Sequence, residues 1–391
     1  ALPIYLNDYL DPSKLTEALQ NITTRFPNIT KMFSIAKTHN NQSVNALEIS
    51  SHLGDENYPV VIFNGMHHAR EVMTTEVVLH IAQVLTAGYG TDAEMTKWLD
   101  SFRIIVVPQV NPDGNSYVHT GRNMWRKNAY RIGNKAVGVD INRNYPTFWN
   151  YCSGSSGNPS SDIYRGPSPA SEPETQGVMS LTTSFKPVAY ISYHSYGQLI
   201  YYPYGCSDEK NPSADLFRSI GADMRKQILD DNNKPNTYDL GSSFPFYPDT
   251  DGTDIDWQWK EHGVIAYTLE VNKNDFQPNY KTWRDVTVKR QEGGWKALLR
   301  RMEKSGFKSI IHTDNVDKIS YSLEQVIEGK RLPFDADTPT RKFSLRSNSG
   351  LLYQITSNGS YKLTFYKDSL PVKSIDLEIG EEMNDLGEIN L

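Results

Sequence analysis

The 391-residue sequence predicts an α/β domain with a mixed, mostly parallel twisted sheet and helices on both faces, followed by a small all-β sandwich domain. Up to about residue 300, short apolar runs alternate with longer helical patterns, which is typical of a sheet covered on both faces. Beyond about residue 307, short alternating segments separated by turn residues replace the helical patterns. We therefore predict domains at residues 1–305 and 306–391.

Four strands of the first domain are predicted from runs that are short, β-rich and apolar almost throughout, as buried strands are. They are YPVVIFN, FRIIVVPQ, PVAYISY and GVIAYTLEV at residues 58–64, 102–109, 187–193 and 263–271. Apolar residues at helical spacing predict helices over about 74–86, 215–230 and 283–302. In the second domain, strands are predicted at 342–345, 351–355, 361–366 and 374–379.

The composition excludes several classes of protein. With 38% hydrophobic and 11% aromatic residues the chain can bury a core, so global disorder is excluded. The net charge of −6 is spread without a basic cluster, which argues against nucleic-acid binding. No apolar stretch approaches the 18 residues of a membrane span.

Two cysteines, Cys152 and Cys206, leave open one bridge or two free thiols, and they do not decide the redox compartment. The chain opens at Ala1 with neither a methionine nor a charged-then-apolar leader, which predicts a mature or trimmed form.

The first candidate site motif is His68-Ala69-Arg70-Glu71, directly after the strand at 58–64. A histidine and a glutamate three positions apart meet on one face of a helical turn, so an imidazole and a carboxylate can reach one ion. Alone the motif is weak evidence, because a solvated pair at the start of a surface helix has the same pattern.

Two further polar residues lie at the ends of predicted strands. His194 follows the run at 187–193, and Glu270 lies near the end of the run at 263–271. Ligands of open α/β sheets bind outside the carboxyl ends of the strands, so three strands bring His68, Glu71, His194 and Glu270 to one edge. Two histidines and a glutamate make a catalytic zinc set with an open position for water, and the other carboxylate can take a proton from that water. A chance grouping of strand-end polar residues is the alternative.

A basic and polar group follows the strand at 102–109. Asn111-Pro112-Asp113-Gly114 is predicted as a turn, and Trp125-Arg126-Lys127 and Asp140-Ile141-Asn142-Arg143-Asn144 come after it. An arginine fork beside an asparagine amide suits a carboxylate or a developing oxyanion. Solvated surface arginines remain the alternative.

Taken together in order, these motifs resemble the zinc metallocarboxypeptidases of the A/B type, and most closely the bacterial carboxypeptidase T branch. The resemblance also includes His194-Ser195-Tyr196, Tyr202-Pro203-Tyr204-Gly205 and Thr268-Leu269-Glu270, and it covers residues 5 to 303. It implies one Zn²⁺ bound by His68, Glu71 and His194.

The resemblance also implies roles for the surrounding residues. Glu270 would act as general base and Arg126 would stabilise the oxyanion. Asp140 would orient the first zinc histidine. Substrate contacts are implied for a further set of residues: Asn142 and Arg143 with the terminal carboxylate, Arg70 with upstream residues, Tyr247 as a mobile cap and Ile255 at the floor of the specificity pocket.

The implied activity is hydrolysis of the C-terminal peptide bond of peptides and proteins. Ile255 predicts a preference for apolar or aromatic terminal residues, and nearby Asp251 and Asp254 leave room for basic ones unless they are exposed turn residues. The alternatives are a cell-wall peptide hydrolase of the same fold and a non-catalytic binding protein.

Further expectations follow from the resemblance. The chain is expected to be secreted or extracytoplasmic, with any signal and pro-segment removed, and to be a monomer. Calcium is a candidate second ion without assigned ligands. The β-rich tail resembles a transthyretin-like domain, with a role in folding, secretion or docking.

Overall fold

The computed structural model describes residues 8–206, 213–334 and 341–391, so Ala1 lies outside the described residues. The helices are Pro12–Arg25 (α1), Met73–Gly88 (α2), Ala93–Ser101 (α3), Pro112–His119 (α4), Pro173–Phe185 (α5), Ala214–Gln227 (α6), Ser243–Phe246 (α7), Asp254–His262 (α8) and Tyr280–Met302 (α9). The strands up to α9 are Thr30–Lys37 (β1), Ser43–Ile49 (β2), Val60–Gly65 (β3), Arg103–Val107 (β4), Arg131–Ile132 (β5), Lys135–Ala136 (β6), Ala189–Ser195 (β7), Leu199–Tyr202 (β8), Asp239–Ser242 (β9) and Ile265–Val271 (β10).

The strands after α9 are Gly306–His312 (β11), Ile319–Ile327 (β12), Lys330–Pro333 (β13), Phe343–Ser344 (β14), Leu351–Ile355 (β15), Gly359–Lys367 (β16), Leu370–Ile379 (β17) and Met383–Asn390 (β18). None of the helices in the described ranges has a stretch that could cross a bilayer.

Within the described residues the main sheet has eight strands in the order β1-β2-β4-β3-β7-β10-β8-β9. Its centre, β4-β3-β7-β10, is parallel. The pairs β1-β2, β2-β4 and β10-β8 are antiparallel, and the edge pair β8-β9 is parallel. These four central strands are the four that the apolar runs predict. The predicted mixed, mostly parallel sheet is therefore confirmed.

The central strands are apolar on both sides because both faces of the sheet are covered. Along β3, Val61 and Phe63 belong to a core packed under α1, α2, α6 and α9. Their neighbours Val60 and Ile62 belong to a second core, to which α5 and α8 contribute. Alternate side chains of a strand point to opposite faces, so a strand buried on both sides loses the polar alternation of a half-exposed one.

One predicted turn is wrong. Asn111-Pro112-Asp113-Gly114 begins α4: the Asn111 side chain accepts a hydrogen bond from the Gly114 backbone N–H, and Pro112 occupies the first helical position. Asparagine as N-cap followed by proline starts a helix as readily as it forms a turn, and the short segment has little apolar periodicity to separate the two.

The β-rich part is a sandwich, as predicted. The sheet β15-β11-β18 faces a sheet of β13-β12-β16-β17, with β14 paired to β12. Phe307 and Leu352 of the first sheet share a core with Tyr321 and Leu363 of the second. The division of the chain at residue 305 stays a prediction, although α9 ends at Met302 and β11 begins at Gly306.

The two parts share buried contacts. Leu351, Tyr353 and Ile355 of β15 belong to the main core, and the Tyr353 hydroxyl donates to the carbonyl of Met302 over 2.6 Å. Gly263 ends α8 with φ +61°, and a Cβ at that position would lie 2.8 Å from Phe343 of β14. The sandwich is thus packed directly onto the main sheet and its helices.

Arg346 of the sandwich is the central polar contact between the two parts. It is buried, and its guanidinium donates to the carbonyls of Pro187, His262 and Gly263 at 3.1, 3.1 and 2.9 Å. Pro187 precedes β7, and the other two end α8 and lead into β10. A cation at a helix C-terminus also interacts favourably with the helix dipole.

We expect Arg346→Met to lower the free energy of unfolding by about 3 kcal/mol, because three carbonyls, two of them in buried contacts, lose their donor at about 1 kcal/mol each. Denaturant unfolding measures this change. Arg331→Met, at an exposed position on β13, is the matched control and should change stability little. Equal effects of both substitutions would contradict the importance of the Arg346 contacts.

Candidate metal centre and substrate cavity

Three buried side chains converge on one point at the carboxyl edge of the sheet. His68 Nδ1 lies 2.8 Å from Glu71 Oε1 and 3.2 Å from His194 Nδ1, and His194 Nδ1 lies 3.1 Å from Glu71 Oε2. One ligand atom from each residue lies within 4.8 Å of the others. Two nitrogens bonded to one tetrahedral zinc at about 2.05 Å would be about 3.3 Å apart, so the spacing fits a shared ion.

Two elements of the fold carry these three side chains. His68 and Glu71 lie in a turn between β3 and α2, in which the Glu71 N–H donates to the His68 carbonyl over 3.1 Å. The predicted helical turn is therefore wrong, but an i→i+3 turn brings the same two residues together. His194 comes from β7, and β10 pairs with it in parallel so that Glu270 lies beside His194.

The nitrogen of each ring that faces away from the cluster has a partner. His68 Nε2 lies 3.1 Å from Asp140 Oδ1, and His194 Nε2 lies 3.1 Å from Ser192 Oγ. Such contacts place the ring hydrogen on Nε2 and leave Nδ1 free to bind a metal. The donor set and its outer contacts together fit zinc.

Arg126 and Asp140 form a buried pair beside the cluster. Arg126 Nε and Nη2 donate to Asp140 Oδ2 at 3.0 and 2.9 Å. Burial opposes ionisation of Asp140, but Arg126 and His68 together hold its pKa well below the ordinary value. Arg126 Nη1 lies 3.9 Å from Glu71, so the guanidinium lies at the metal cluster.

Glu270 lies beside His194 at the end of β10. Tyr201 and Tyr247 both donate to its Oε1 at 3.3 Å, whereas its buried Oε2 has no hydrogen-bond partner among the residues that the structure describes. Burial, and then the charge of Glu71, raise the pKa of Glu270 well above its ordinary value. A divalent cation at the neighbouring cluster would lower that pKa again.

A cavity of about 320 Å³ brings together every predicted site residue except Asp140, which lies behind the cluster. The residues that line it include His68, Arg70, Glu71, Arg126, Asn142, Arg143, His194, Tyr247, Ile255 and Glu270. Arg143 is held by bonds from Nε to the Gly154 carbonyl and from Nη1 to the Asn142 carbonyl. Asn142 Oδ1 accepts from the Asp254 N–H, so its amide NH₂ is the end left for a ligand.

Sequence reasoning missed several lining residues, including Tyr196, Tyr201 and Phe276. Phe276 lies 4.4 Å from the Arg70 guanidinium and 4.7 Å, between centroids, from the Tyr196 ring. Tyr201 lies on β8, which reaches the cavity because β8 pairs with β10. Tyr201 can be recognised as a lining residue only from this long-range pairing, because a tyrosine in a short apolar strand would be predicted to lie in the core.

Besides Ile255, the predicted floor residue, the neutral side chains of Ser243, Thr250, Thr253 and Thr268 line the cavity, whereas Asp251 and Asp254 are not among its lining residues. Both aspartates are fully buried, so the alternative that they are exposed turn residues is wrong. Asp254 accepts a hydrogen bond from the Tyr190 hydroxyl over 2.8 Å.

Cys152 and Cys206 form a disulfide bond, with an S–S distance of 2.07 Å, which decides the question that their number left open. The Cys152 N–H donates to Asp251 Oδ2 over 3.1 Å, so the bridge supports the segment next to the cavity floor.

A second group of potential ligands in the described residues is formed by His39, Glu172 and Glu174. His39 Nε2 lies 2.7 Å from Glu172 Oε2, and the Asn128 amide donates to both glutamates. Calcium prefers six to eight oxygens, and this group supplies an imidazole and two carboxylates that already have partners. We therefore assign no calcium ligands to this group, and the presence of a calcium ion stays a prediction.

Residues 15–290 match the family model described as Peptidase M14, zinc carboxypeptidase. The chain belongs to this zinc carboxypeptidase family. It is 29% identical over 292 residues to carboxypeptidase A1 of Mus musculus, a match that covers 74% of this chain and 68% of that protein. It is 38% identical over 202 residues to metallocarboxypeptidase A of Trichophyton tonsurans, covering 50% of this chain and 48% of that protein.

Solved structures agree with these matches. Carboxypeptidase A from Helicoverpa armigera has a TM-score of 0.66 at 26% identity, covering 74% of this chain and 72% of that one. The matched part of the chain spans about half the length of the fungal relative and 68% of the mouse relative. These relatives support the A/B type. The placement in the carboxypeptidase T branch, and any relationship of residues 306–391, stay predictions.

Asp256 of α8 gives a test of stability against pH. Burial raises its pKa to about 7, above the ordinary value of about 4, so the folded chain binds a proton that the unfolded chain releases between these values. Its contribution is fully present below about pH 4 and is lost as the pH rises to about 7, by up to about 1.4 kcal/mol per pH unit.

We expect Asp256→Asn to remove this slope, because asparagine keeps an acceptor for the Gly205 N–H without titrating. Unfolding measured by denaturant at pH 4, 5.5 and 7 gives the difference between variant and parent. Parallel pH profiles for the two proteins would contradict a protonated Asp256 in the folded state.

Proposed function

We propose that the chain is a secreted zinc metallocarboxypeptidase that hydrolyses the C-terminal peptide bond of peptides and proteins. The observation that carries this proposal is the convergence of His68, Glu71 and His194 on one point, in the same cavity as Glu270. The ligand set leaves a coordination position open, which distinguishes a catalytic zinc site from a closed structural one. When bound there, zinc would act as a Lewis acid towards water and the peptide carbonyl.

Glu270 is the proposed general base. Its Oε1 is held by two tyrosine hydroxyls, and Oε2 is left to accept a proton from the attacking water. The same carboxyl then returns that proton to the leaving amine. The buried position supports both steps, because burial favours the protonated form that must exist between them.

Arg126 is the proposed oxyanion donor. Asp140 holds its Nε and Nη2, which fixes the plane of the guanidinium at the metal cluster. A donor fixed before the reaction stabilises developing negative charge without reorganising, which is the main benefit of a preorganised site.

Asn142 and Arg143 are proposed to bind the free carboxylate of the substrate, which would restrict cleavage to the last peptide bond. Tyr247, whose hydroxyl now contacts Glu270, is the proposed cap over that carboxylate, and Arg70 at the cavity edge would contact upstream residues. The neutral floor around Ile255 supports a preference for apolar or aromatic terminal side chains.

The proposed location outside the cytoplasm is supported by the disulfide between Cys152 and Cys206, since such bonds persist in oxidising compartments. The expected partners are peptide and protein C-termini, and the monomeric state stays a prediction.

Glu270→Gln should lower kcat by at least about 10³-fold, because an amide cannot accept the proton of water. The variant should keep stoichiometric zinc, since Glu270 is not a proposed ligand. Metal analysis and the hydrolysis of a phenylalanine-terminated peptide on the same sample test this directly. His68→Ala is the comparison that should lose the metal, and hydrolysis retained by Glu270→Gln would remove Glu270 from its role.

Ile255→Asp should reverse the specificity. A buried carboxylate at the floor would pair with a terminal arginine or lysine, so kcat/KM should rise at least about tenfold for an arginine-terminated peptide and fall for a phenylalanine-terminated one. Ile255→Asn is the neutral control of equal size and should gain little on arginine. Parent activity confined to a murein peptide would instead favour the cell-wall hydrolase, and zinc binding without any hydrolysis would favour a binding protein.

A further inference from the structure

The two candidate zinc histidines differ in what lies behind them. His68 Nε2 contacts a carboxylate, that of Asp140, whereas the partner of His194 Nε2 among the described residues is the hydroxyl of Ser192. A hydroxyl is a weak anchor by itself, because its hydrogen rotates and its oxygen either donates or accepts. The orientation of Ser192 therefore depends on what its own hydrogen contacts.

That contact is His67. Its side chain is fully buried, and its Nδ1 lies 3.5 Å from Ser192 Oγ. The His67 ring stacks on the His194 ring with centroids 5.6 Å apart and an interplanar angle of 20°. On its other side, His67 Nε2 lies 3.0 Å from the Tyr145 hydroxyl and 3.6 Å from Asp254 Oδ2.

One placement of the hydrogens satisfies all these contacts. To bind a metal, Nδ1 of His194 must be unprotonated. The ring hydrogen is then on Nε2, which donates to Ser192 Oγ. The Ser192 hydroxyl then donates to His67 Nδ1, which puts the ring hydrogen of His67 on Nε2, towards Tyr145 and Asp254. We propose that His67 is a positioning residue that, through Ser192, holds His194 in the tautomer that binds zinc, with the Asp254 carboxylate at the end of the chain.

The proposed role of His67 in zinc binding can be separated from substrate binding. Asp254 is also held by the Tyr190 hydroxyl and by the Ile255 N–H, each at 2.8 Å. Loss of His67 would therefore leave Asp254 in place, together with its contact to Asn142. The variant should bind zinc less tightly while the zinc-saturated enzyme keeps its KM.

This inference rests on the proposed zinc site, so its test measures zinc affinity directly. Competition with a chromophoric chelator gives the zinc dissociation constant for the parent, Ser192→Ala, His67→Leu and the double variant. We expect each single change to weaken binding about 10- to 100-fold. The double variant should be no weaker than either single one, because the two residues act in series.

His67→Gln should recover most of the affinity, because its amide can accept from Ser192 and donate towards Asp254. His119→Leu, at a partly buried histidine on α4, is the matched control and should leave zinc affinity unchanged. Unchanged affinity in His67→Leu, or independent effects that multiply in the double variant, would overturn the proposal.

A measurement on the unchanged protein covers the case in which a variant does not fold. Long-range ¹H–¹⁵N spectra of the zinc-loaded parent should show His67 protonated on Nε2 and bare on Nδ1, and the reverse tautomer would overturn the proposal. A parent that binds zinc but cleaves no peptide would refute the proposed function and leave the role of His67 standing. Peptide cleavage with unchanged zinc affinity in His67→Leu would refute only the role of His67.

Discussion

The site depends on two imidazole nitrogens that face each other at 3.2 Å beside a carboxylate. Both nitrogens present lone pairs if their rings donate through Nε2, as their outer contacts indicate, and two lone pairs at this distance repel. A divalent cation bound between them would turn the repulsion into bonding. The arrangement exists because β3 and β7 pair in parallel, so that the turn after β3, which carries His68, and the end of β7, which carries His194, lie at the same edge of the sheet.

The sandwich contacts the opposite end of the sheet from this pair of imidazoles. Arg346 joins the segment before β7 to the segment that links α8 and β10, and these are the strands that carry His194 and Glu270. A module attached only by a linker would lack such buried donors. The contacts indicate that residues 306–391 pack against the first domain as part of the same folded body.

The central fold could be predicted because it is encoded locally. Strands buried on both faces need continuous apolar runs, and the runs at 58–64 and 187–193 identify β3 and β7 without knowledge of their partners. The candidate metal ligands could be grouped from the sequence for a related reason: parallel strands place their ends at one edge, so strand-end histidines and glutamates are brought together by topology alone.

The rest depends on contacts between distant parts of the chain. The burial of Asp254 results from its contacts with Tyr190 and Asn142, which lie 64 and 112 residues away, and in sequence it looks like a surface turn residue. The pairing of Cys152 with Cys206 spans 54 residues and could be stated only as one of two outcomes. The sequence alone does not identify His67 as a candidate site residue, because His68 and Glu71 complete the His-x-x-Glu motif without it.

The most direct test is a crystal structure of the zinc-loaded protein with anomalous diffraction recorded on both sides of the zinc absorption edge. We expect one strong peak about 2.0–2.2 Å from His68 Nδ1, His194 Nδ1 and a Glu71 oxygen. A peak elsewhere, or no peak at full zinc loading, would contradict the assignment of these three side chains as a single metal site.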